Sequence, residues 1–288
     1  MNNINFYDIK TWVNQAQSIE NKEFREAVHT ILSAISFDNE LKANMILKGG
    51  ILLGFHYKSS RYTKDIDFST SKKLGKEINV DKIKEKLNTS LAQMVETLDY
   101  DLDCRVQSSK IQPKRPDPTF PSIKLKIGYA YKGTPKHKKL LLLSSPTCIS
   151  IDYSLNEETP NIEKIILNDK EEIFAYSLTD LIAEKYRSLL QQEIRKRMRR
   201  QDVFDLSFLI EKIDDINDED KILKCLISKS HARNIYPDID SFDNPELRRR
   251  AEAEYPSLKT EIEDVLPEFS IIFERVSNFY KSLPWDTL

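Results

Sequence analysis

Apolar positions recur at helical spacing at both ends of the chain and at strand spacing between them. From Tyr7 to about Phe37 they fall at Ile9, Trp12, Val13 and Ala16, then at Phe24, Ala27, Ile31 and Ile35. This predicts one broken helix or two consecutive ones, packed on a sheet as a lid. The apolar run Met45-Ile46-Leu47 stops at Gly49-Gly50, and an amphipathic segment, Ile51 to Tyr57, follows. That order predicts strand, tight turn and helix. Val80 to Leu98 repeats the helical pattern through Ile83, Leu87, Leu91, Met94, Val95 and Leu98, with lysines and glutamates on the other face, as in a connecting surface helix.

The middle of the chain has a different rhythm. Asp101 to Val106, Ser122 to Tyr131, Leu140 to Leu143, Thr147 to Leu155 and Ile162 to Leu167 are short, often alternating segments separated by turns, and they read as strands of a mixed sheet. Lys110 to Pro118 carries three prolines that lack amide donors, which predicts an exposed loop, and Lys132 to Lys139 reads as a basic hairpin tip. From Ser177 onward helical patterning takes over through Leu178, Leu181, Ile182, Tyr186 and Leu189, continuing to Phe204, Leu206 and Leu209. Further helices are expected at Asp218 to Ser230, at Pro245 to Tyr255 and from about Ile262 to Leu283, with Pro237, Pro256 and Pro267 as interruptions. A boundary near Tyr176 divides the chain into a domain of residues 1–176 and a helical domain of residues 177–288. The class is α+β: a mixed β-sheet flanked by helices, followed by a C-terminal helical domain.

Composition narrows the possibilities. With 288 residues, 40% hydrophobic and 31% charged, the chain suits one large or two modest domains. Lys and Arg total 44 against 46 acidic residues, so any attraction to nucleic acid must come from local patches. Met1 to Asn5 lacks a signal-peptide pattern and no apolar segment approaches the roughly 18 residues of a membrane span, so the expected compartment is the cytoplasm, with no membrane partner. Cys104, Cys148 and Cys225 lack C-x-x-C spacing and read as buried small hydrophobes. His29, His56, His137 and His231 are scattered and match no histidine-based catalytic motif.

The candidate chemistry lies in two neighbouring elements. Backbone amides at Gly49-Gly50, at the start of a helix, suit a bound phosphate. In Asp65-Ile66-Asp67-Phe68 the carboxylates alternate with apolar residues, so an extended strand projects both from one face, about 7 Å apart. Such a pair suits divalent metals. Each half alone is unspecific; together, with Arg61 and Lys64 between them, they point to a phosphate-cradling turn beside a two-metal carboxylate pair. Asp152, in the alternating Cys148 to Tyr153, is the candidate third carboxylate. Lys124 and Lys126 share a strand face, either beside that carboxylate or as a solvated lysine face.

Gly49-Gly50 followed by Arg61-x-Thr63-Lys64-Asp65-Ile66-Asp67 resembles the first motif of the AbiEii/AbiGii toxin nucleotidyltransferases, members of the DNA polymerase β-like superfamily. Asp180-Leu181-Ile182-Ala183-Glu184-Lys185-Tyr186-Arg187 and Arg199-Arg200-Gln201-Asp202-Val203-Phe204-Asp205-Leu206 resemble the later helical motifs of that family in order and spacing. One departure is Ile51, where the family places Ser or Thr directly after the glycine turn.

The resemblance implies a nucleotidyltransferase fold and Mg²⁺-dependent transfer of a nucleoside monophosphate from a nucleoside triphosphate, with pyrophosphate leaving. By it, Asp65, Asp67 and Asp152 would bind metal and carry catalysis, one of Lys124 and Lys126 would match the family's strand lysine, and Lys185 would reach the triphosphate with Asp180 positioning it. The basic run Arg195 to Arg200 is either a solvated linker or a grip on triphosphate or RNA backbone. Asp202 either caps the following helix or orients Lys185 and the basic side chains, and Asp205 shares that alternative. The resemblance further implies the toxin of a bacterial toxin-antitoxin or phage-defence system, neutralised through a separately encoded antitoxin, with RNA, at the 3′ end of tRNA, as the leading acceptor. The alternatives are a protein or small-molecule acceptor and a relative that binds nucleotide without catalysis.

Overall fold

The computed structural model describes residues 8–115, 118–213 and 217–287, apart from the side chain of Asn217. The readings made at Met1 to Asn5, Tyr7, Pro116 and Asp117 therefore lie outside the described residues. The chain forms two compact units. The first comprises the described residues up to Tyr57, then Thr63–Glu157 and Glu163–Ala175; the second comprises Lys58–Tyr62, Glu158–Ile162 and the described residues from Tyr176 on.

The first unit begins with three helices, each started by a side-chain cap. Asp8 caps α1 (Ile9–Asn14), Ser18 caps α2 (Ile19–Phe37) and Asp38 caps α3 (Asn39–Asn44), each side chain accepting from a first-turn amide that the helix itself leaves unpaired. β1 (Ile46–Lys48) then runs directly into α4 (Gly49–Phe55), and β2 (Asp65–Ser69) follows. α5 (Val80–Thr97) leads to the long β3 (Leu102–Gln112) and β4 (Ser122–Tyr131). α6 (Pro135–Leu141), β5 (Cys148–Ser154), β6 (Ile162–Asn168) and β7 (Glu171–Tyr176) complete the series. The strands form one seven-stranded mixed sheet among the described residues, in the order β3-β4-β5-β2-β1-β7-β6. β2 is antiparallel to β1 and parallel to β5, while β4 is antiparallel to both β3 and β5.

The two faces of the central strands differ sharply. Ile66, Phe68, Ile123, Leu125, Ile127, Ile149, Ile151 and Tyr153 are fully buried on one face. Asp65, Asp67, Ser122, Lys124, Lys126, Ser150 and Asp152 alternate with them and are partly or fully exposed. The sheet is thus closed by apolar packing on one side and polar on the other.

Several elements differ from expectation. Lys132 to Lys139 is not a hairpin tip: Thr134 accepts from the His137 amide and Pro135 starts α6, a capped helix whose last turn takes up Leu140 and Leu141 in place of the expected strand. β3 extends through Lys110, Ile111 and Gln112, because the first proline that removes a ladder donor is Pro113. β7 went unanticipated, since Glu171-Glu172 hides its strand pattern, and α3 did also. α2 is no lid: thirteen of its residues are buried, and it packs against β3 and β4 as part of the core. Cys148 is half-buried, unlike Cys104 and Cys225.

In the second unit α7 (Leu178–Leu190), α8 (Arg200–Ile210), α9 (Asn217–His231), α10 (Pro245–Glu252) and α11 (Phe269–Ser282) surround an aromatic centre. Phe242 stacks on Tyr280 at 4.4 Å and meets Tyr186 edge-on at 5.3 Å between ring centroids. α11 begins later than the expected Ile262, because Pro267 closes the preceding loop. Among the described residues no helix is long and apolar enough to cross a membrane.

Candidate active site

Strand register brings the first set of candidate residues together. Asp67 on β2 pairs with Asp152 on β5, Asp152 pairs with Lys124 on β4, and Lys48 on β1 pairs with Asp67 from the other side. Directly paired residues share a sheet face and neighbouring strands lie about 4.8 Å apart, so Lys124, Asp152, Asp67 and Lys48 form one transverse row. Lys126, Ser150 and Asp65 form the adjacent row.

Within this row Lys124 Nζ stands 3.3 Å from Asp152 Oδ2. Asp152 Oδ1 is buried and accepts no hydrogen bond among the described residues. A desolvated carboxylate oxygen without a donor is unfavourable unless something else occupies its lone pairs.

The glycine turn is fitted to the same carboxylates. Gly49 opens α4 at φ +74°, and a Cβ built on it would lie 2.2 Å from Asp67 Oδ2 and 2.9 Å from its Cγ. Only glycine leaves room for that carboxylate against the backbone. Lys48, the residue before the helix, makes no side-chain cap, so the first amides of α4 receive no acceptor from it. Gly50 is buried, and Ile51 is 2% exposed in the core. Lys64 is exposed just before β2.

The second set assembles within the second unit. Lys185 on α7 donates to Asp205 Oδ2 at 2.6 Å and to Asp202 Oδ1 at 3.1 Å, both on α8. The three-residue spacing of Asp202 and Asp205 presents them on one helix face. Arg61 clamps Asp205 with Nε at 2.7 Å and Nη2 at 2.8 Å. Arg199 Nη1 lies 3.7 Å from Asp202 Oδ2. Burial alone would raise the Asp205 carboxyl, but Arg61 and Lys185 outweigh it and hold it below its ordinary range. Burial alone would lower Lys185, and Asp205 with Asp202 reverses that, so the ammonium is held charged.

These contacts decide between the earlier alternatives. Asp202 does not cap α8, whose cap position is Arg199; it holds Lys185. Lys185 is oriented by Asp202 and Asp205, whereas Asp180 is fully buried and engaged by Lys229 at 2.6 Å and by the Asn161 amide at 3.3 Å. In the basic run, Arg200 pairs with Glu261 at 2.9 Å. Arg195 is lowered to about 10, by burial first and then by Arg233, Arg187, Arg197 and Arg199 around it.

No role was assigned from sequence to Lys48, beside the glycine turn, or to Lys229. Lys48 becomes visible only through its register opposite Asp67, and Lys229 sits in an ordinary amphipathic helix.

As a donor set, the sheet row offers hard carboxylate oxygens to a hard divalent cation. Among the described residues no three His, Cys, Asp or Glu side chains converge into a ready-made metal cage. Mg²⁺ requires none: it commonly takes one or two protein carboxylates and completes its octahedron with water and substrate phosphate. Asp67 against Gly49 and Asp152 with its unpartnered Oδ1 fit that requirement.

A family model described as nucleotidyl transferase AbiEii toxin, type IV toxin-antitoxin system, matches residues 30–281. The chain belongs to the AbiEii family. It is accordingly a toxin nucleotidyltransferase. Two solved structures share the fold. JHP933 from Helicobacter pylori matches with a TM-score of 0.51 at 14% identity, over 93% of this chain and 93% of that one. MenT4, a nucleotidyltransferase toxin from Mycobacterium tuberculosis H37Rv, matches with a TM-score of 0.54 at 12% identity, over 96% of this chain and 90% of that one. No curated protein sequence matches the chain. Ile51, the residue directly after the glycines, is committed to apolar packing.

Proposed function

We propose that the enzyme transfers a nucleoside monophosphate from a nucleoside triphosphate to RNA, at the 3′ end of tRNA, with Mg²⁺, as the cytoplasmic toxin of a toxin-antitoxin or phage-defence system. The observation that carries the reading is the in-register pair Asp67 and Asp152, with Asp152 Oδ1 lacking a donor and Asp67 seated against Gly49. Asp67 and Asp152, with Asp65 in the next row, would hold Mg²⁺, which when bound supplies charge neutralisation at the phosphates and acidifies the attacking hydroxyl.

The chain's own residues do the rest. Gly49 and Gly50 offer amides to phosphate, and Lys64 adds positive charge nearby. Lys124 pairs with Asp152 and holds it in place, and Lys126 flanks the row. The acceptor hydroxyl forms the new bond to the α-phosphorus as the α–β bridging bond breaks, pyrophosphate departs with the bonding pair, and the hydroxyl proton passes to Asp152. Lys185 compensates phosphate charge, oriented by Asp202 and Asp205, while Arg61 fixes Asp205 and Asp180 braces α7. Antagonism falls to a separately encoded antitoxin.

The test is transfer of α-labelled ATP, GTP, CTP and UTP, each with Mg²⁺, to total bacterial RNA, comparing wild type with Asp67→Asn. Label on RNA that vanishes in the variant supports the reading and names the nucleotide. Label confined to the protein fraction refutes RNA as acceptor. Absence of label with all four, together with retained nucleotide binding, refutes catalysis.

A further inference from the structure

The row that carries the carboxylates does not stop at Lys124. β3 pairs with β4 so that Lys110 stands opposite Lys124, Ser108 opposite Lys126 and Gln112 opposite Ser122. Lys110, Lys124, Asp152, Asp67 and Lys48 therefore form a continuous line across five strands on the polar face. At about 4.8 Å per strand, Lys124 lies about 10 Å and Lys110 about 14 Å from Asp67 at the backbone.

The far end of this line is positively charged without local compensation. Lys110 and Lys126 are exposed, and neither has an ion-pair partner among the described residues; Lys124 has Asp152 alone. Beyond β3 the chain adds Lys114 and Arg115, both exposed. Residues 108–126 thus hold five cations and one carboxylate, in a chain whose net charge is −2. Placing lysines directly opposite each other on paired strands destabilises the hairpin, so the arrangement does not serve the fold. It suits a ligand carrying several negative charges in a line.

We propose that the lysine strip formed by Lys110, Lys124 and Lys126, extended by Lys114 and Arg115, holds the phosphodiester backbone of the RNA acceptor and leads its hydroxyl end to Asp67 and Asp152. The proposal rests on the RNA reading above and adds the surface that selects the acceptor. A triphosphate bound at the carboxylates has no use for cations three strands away, whereas a polymer passing over the sheet does. A small-molecule acceptor likewise leaves Lys110, Lys114 and Arg115 idle.

The experiment measures binding of the full chain to a fluorescein-labelled 20-nucleotide single-stranded RNA by anisotropy, across a salt series. Wild type is compared with the Lys110→Glu/Lys114→Glu/Arg115→Glu triple variant and with Lys110→Gln alone, circular dichroism verifying the fold. The triple variant should bind at least tenfold more weakly, with the slope of log affinity against log salt reduced by about 2, as expected for three lost phosphate contacts on single-stranded RNA. Lys110→Gln should show a smaller loss in the same direction, and the KM for nucleoside triphosphate should stay at the wild-type value in both. Unchanged RNA affinity and salt slope in the triple variant, while wild type labels RNA, would overturn the strip and leave the reaction standing. Wild type that neither binds nor labels RNA would overturn the RNA reading, and the strip with it.

Discussion

Replacing Gly49 by alanine should separate catalysis from folding in this enzyme. The added methyl group meets two penalties. At φ +74° an alanine sits in the left-handed region, which costs roughly 1–2 kcal/mol relative to glycine. Its Cβ would also fall 2.2 Å from Asp67 Oδ2, where carbon contacts normally settle near 3.5 Å, so the carboxylate must retreat by about 1 Å. A displacement of that size at a reacting centre lowers turnover by about 10²-fold. Thermal unfolding should move by only a few degrees, since each kcal/mol shifts a domain of this size by roughly 2–4 °C. Gly54, in the same helix, is the control: nothing lies within 4 Å of its added Cβ, so Gly54→Ala should stabilise by about 0.5–1 kcal/mol and leave turnover intact. The assay is pyrophosphate release at saturating nucleoside triphosphate beside a thermal melt. A Gly49→Ala enzyme with wild-type turnover would show that Asp67 does not need the seat it occupies, and the metal-binding reading of that carboxylate would fall.

Three further outcomes are expected. Asp205→Asn leaves Arg61 and Lys185 buried with half their compensating charge, and urea denaturation should report a loss of about 3–5 kcal/mol. Because Asp205 is held below its ordinary range, its contribution is complete above about pH 4 and lost on further acidification, so the same variant should have a flatter acid limb in its stability profile. Burial lowers His56 from 6.5 to about 4, so the neutral ring is favoured in the fold; stability is full above pH 6.5 and declines as pH falls toward 4, by roughly 3 kcal/mol at most, a slope that His56→Gln should remove in chemical denaturation at stepped pH. Thr134→Ala removes the cap of α6 and should lower stability by about 1 kcal/mol with turnover unchanged, which a melt and a pyrophosphate assay on the same sample will decide.

The elements that were legible in the sequence are those whose pattern is local. β2 and β5 announce themselves by strict alternation, α5 and α7 by helical periodicity, and the turn between β1 and α4 by its glycines. α6 replaces the expected basic hairpin tip and strand because Thr134 followed by Pro135 is a helix-start signal that outweighs the apolar run after it. β3 runs past the expected start of the loop because Lys110, Ile111 and Gln112 all keep their amides and a proline removes a donor only from Pro113 on. At the candidate site, residue types and spacing nominated Asp65, Asp67 and Asp152, and the family resemblance nominated Lys185. Contact partners stayed hidden: nothing local says that Asp205 serves Arg61 and Lys185 at once, or that Asp180 belongs to Lys229.

The common reason is register. A strand's alternation states which residues share a face but not which residues on the next strand stand opposite, and a slip of one residue would send every side chain to the other face. Here the apolar face removes that freedom. Ile66, Ile151, Leu125 and their neighbours can be buried together in only one alignment parity, and that same parity sets Asp67 beside Asp152 and Lys124. The acidic and basic residues on the polar side bury far less apolar surface and contribute less to fixing the pairing. The hydrophobic side therefore builds the candidate row, and core substitutions on β4 or β5 are expected to act on it through register rather than through contact. Lys110 needs one further device: it shares the parity of Val106, which pairs with the buried Ile127, and a register shift between Val106 and Ser108 reverses that parity, so that a third lysine comes into line with the carboxylates.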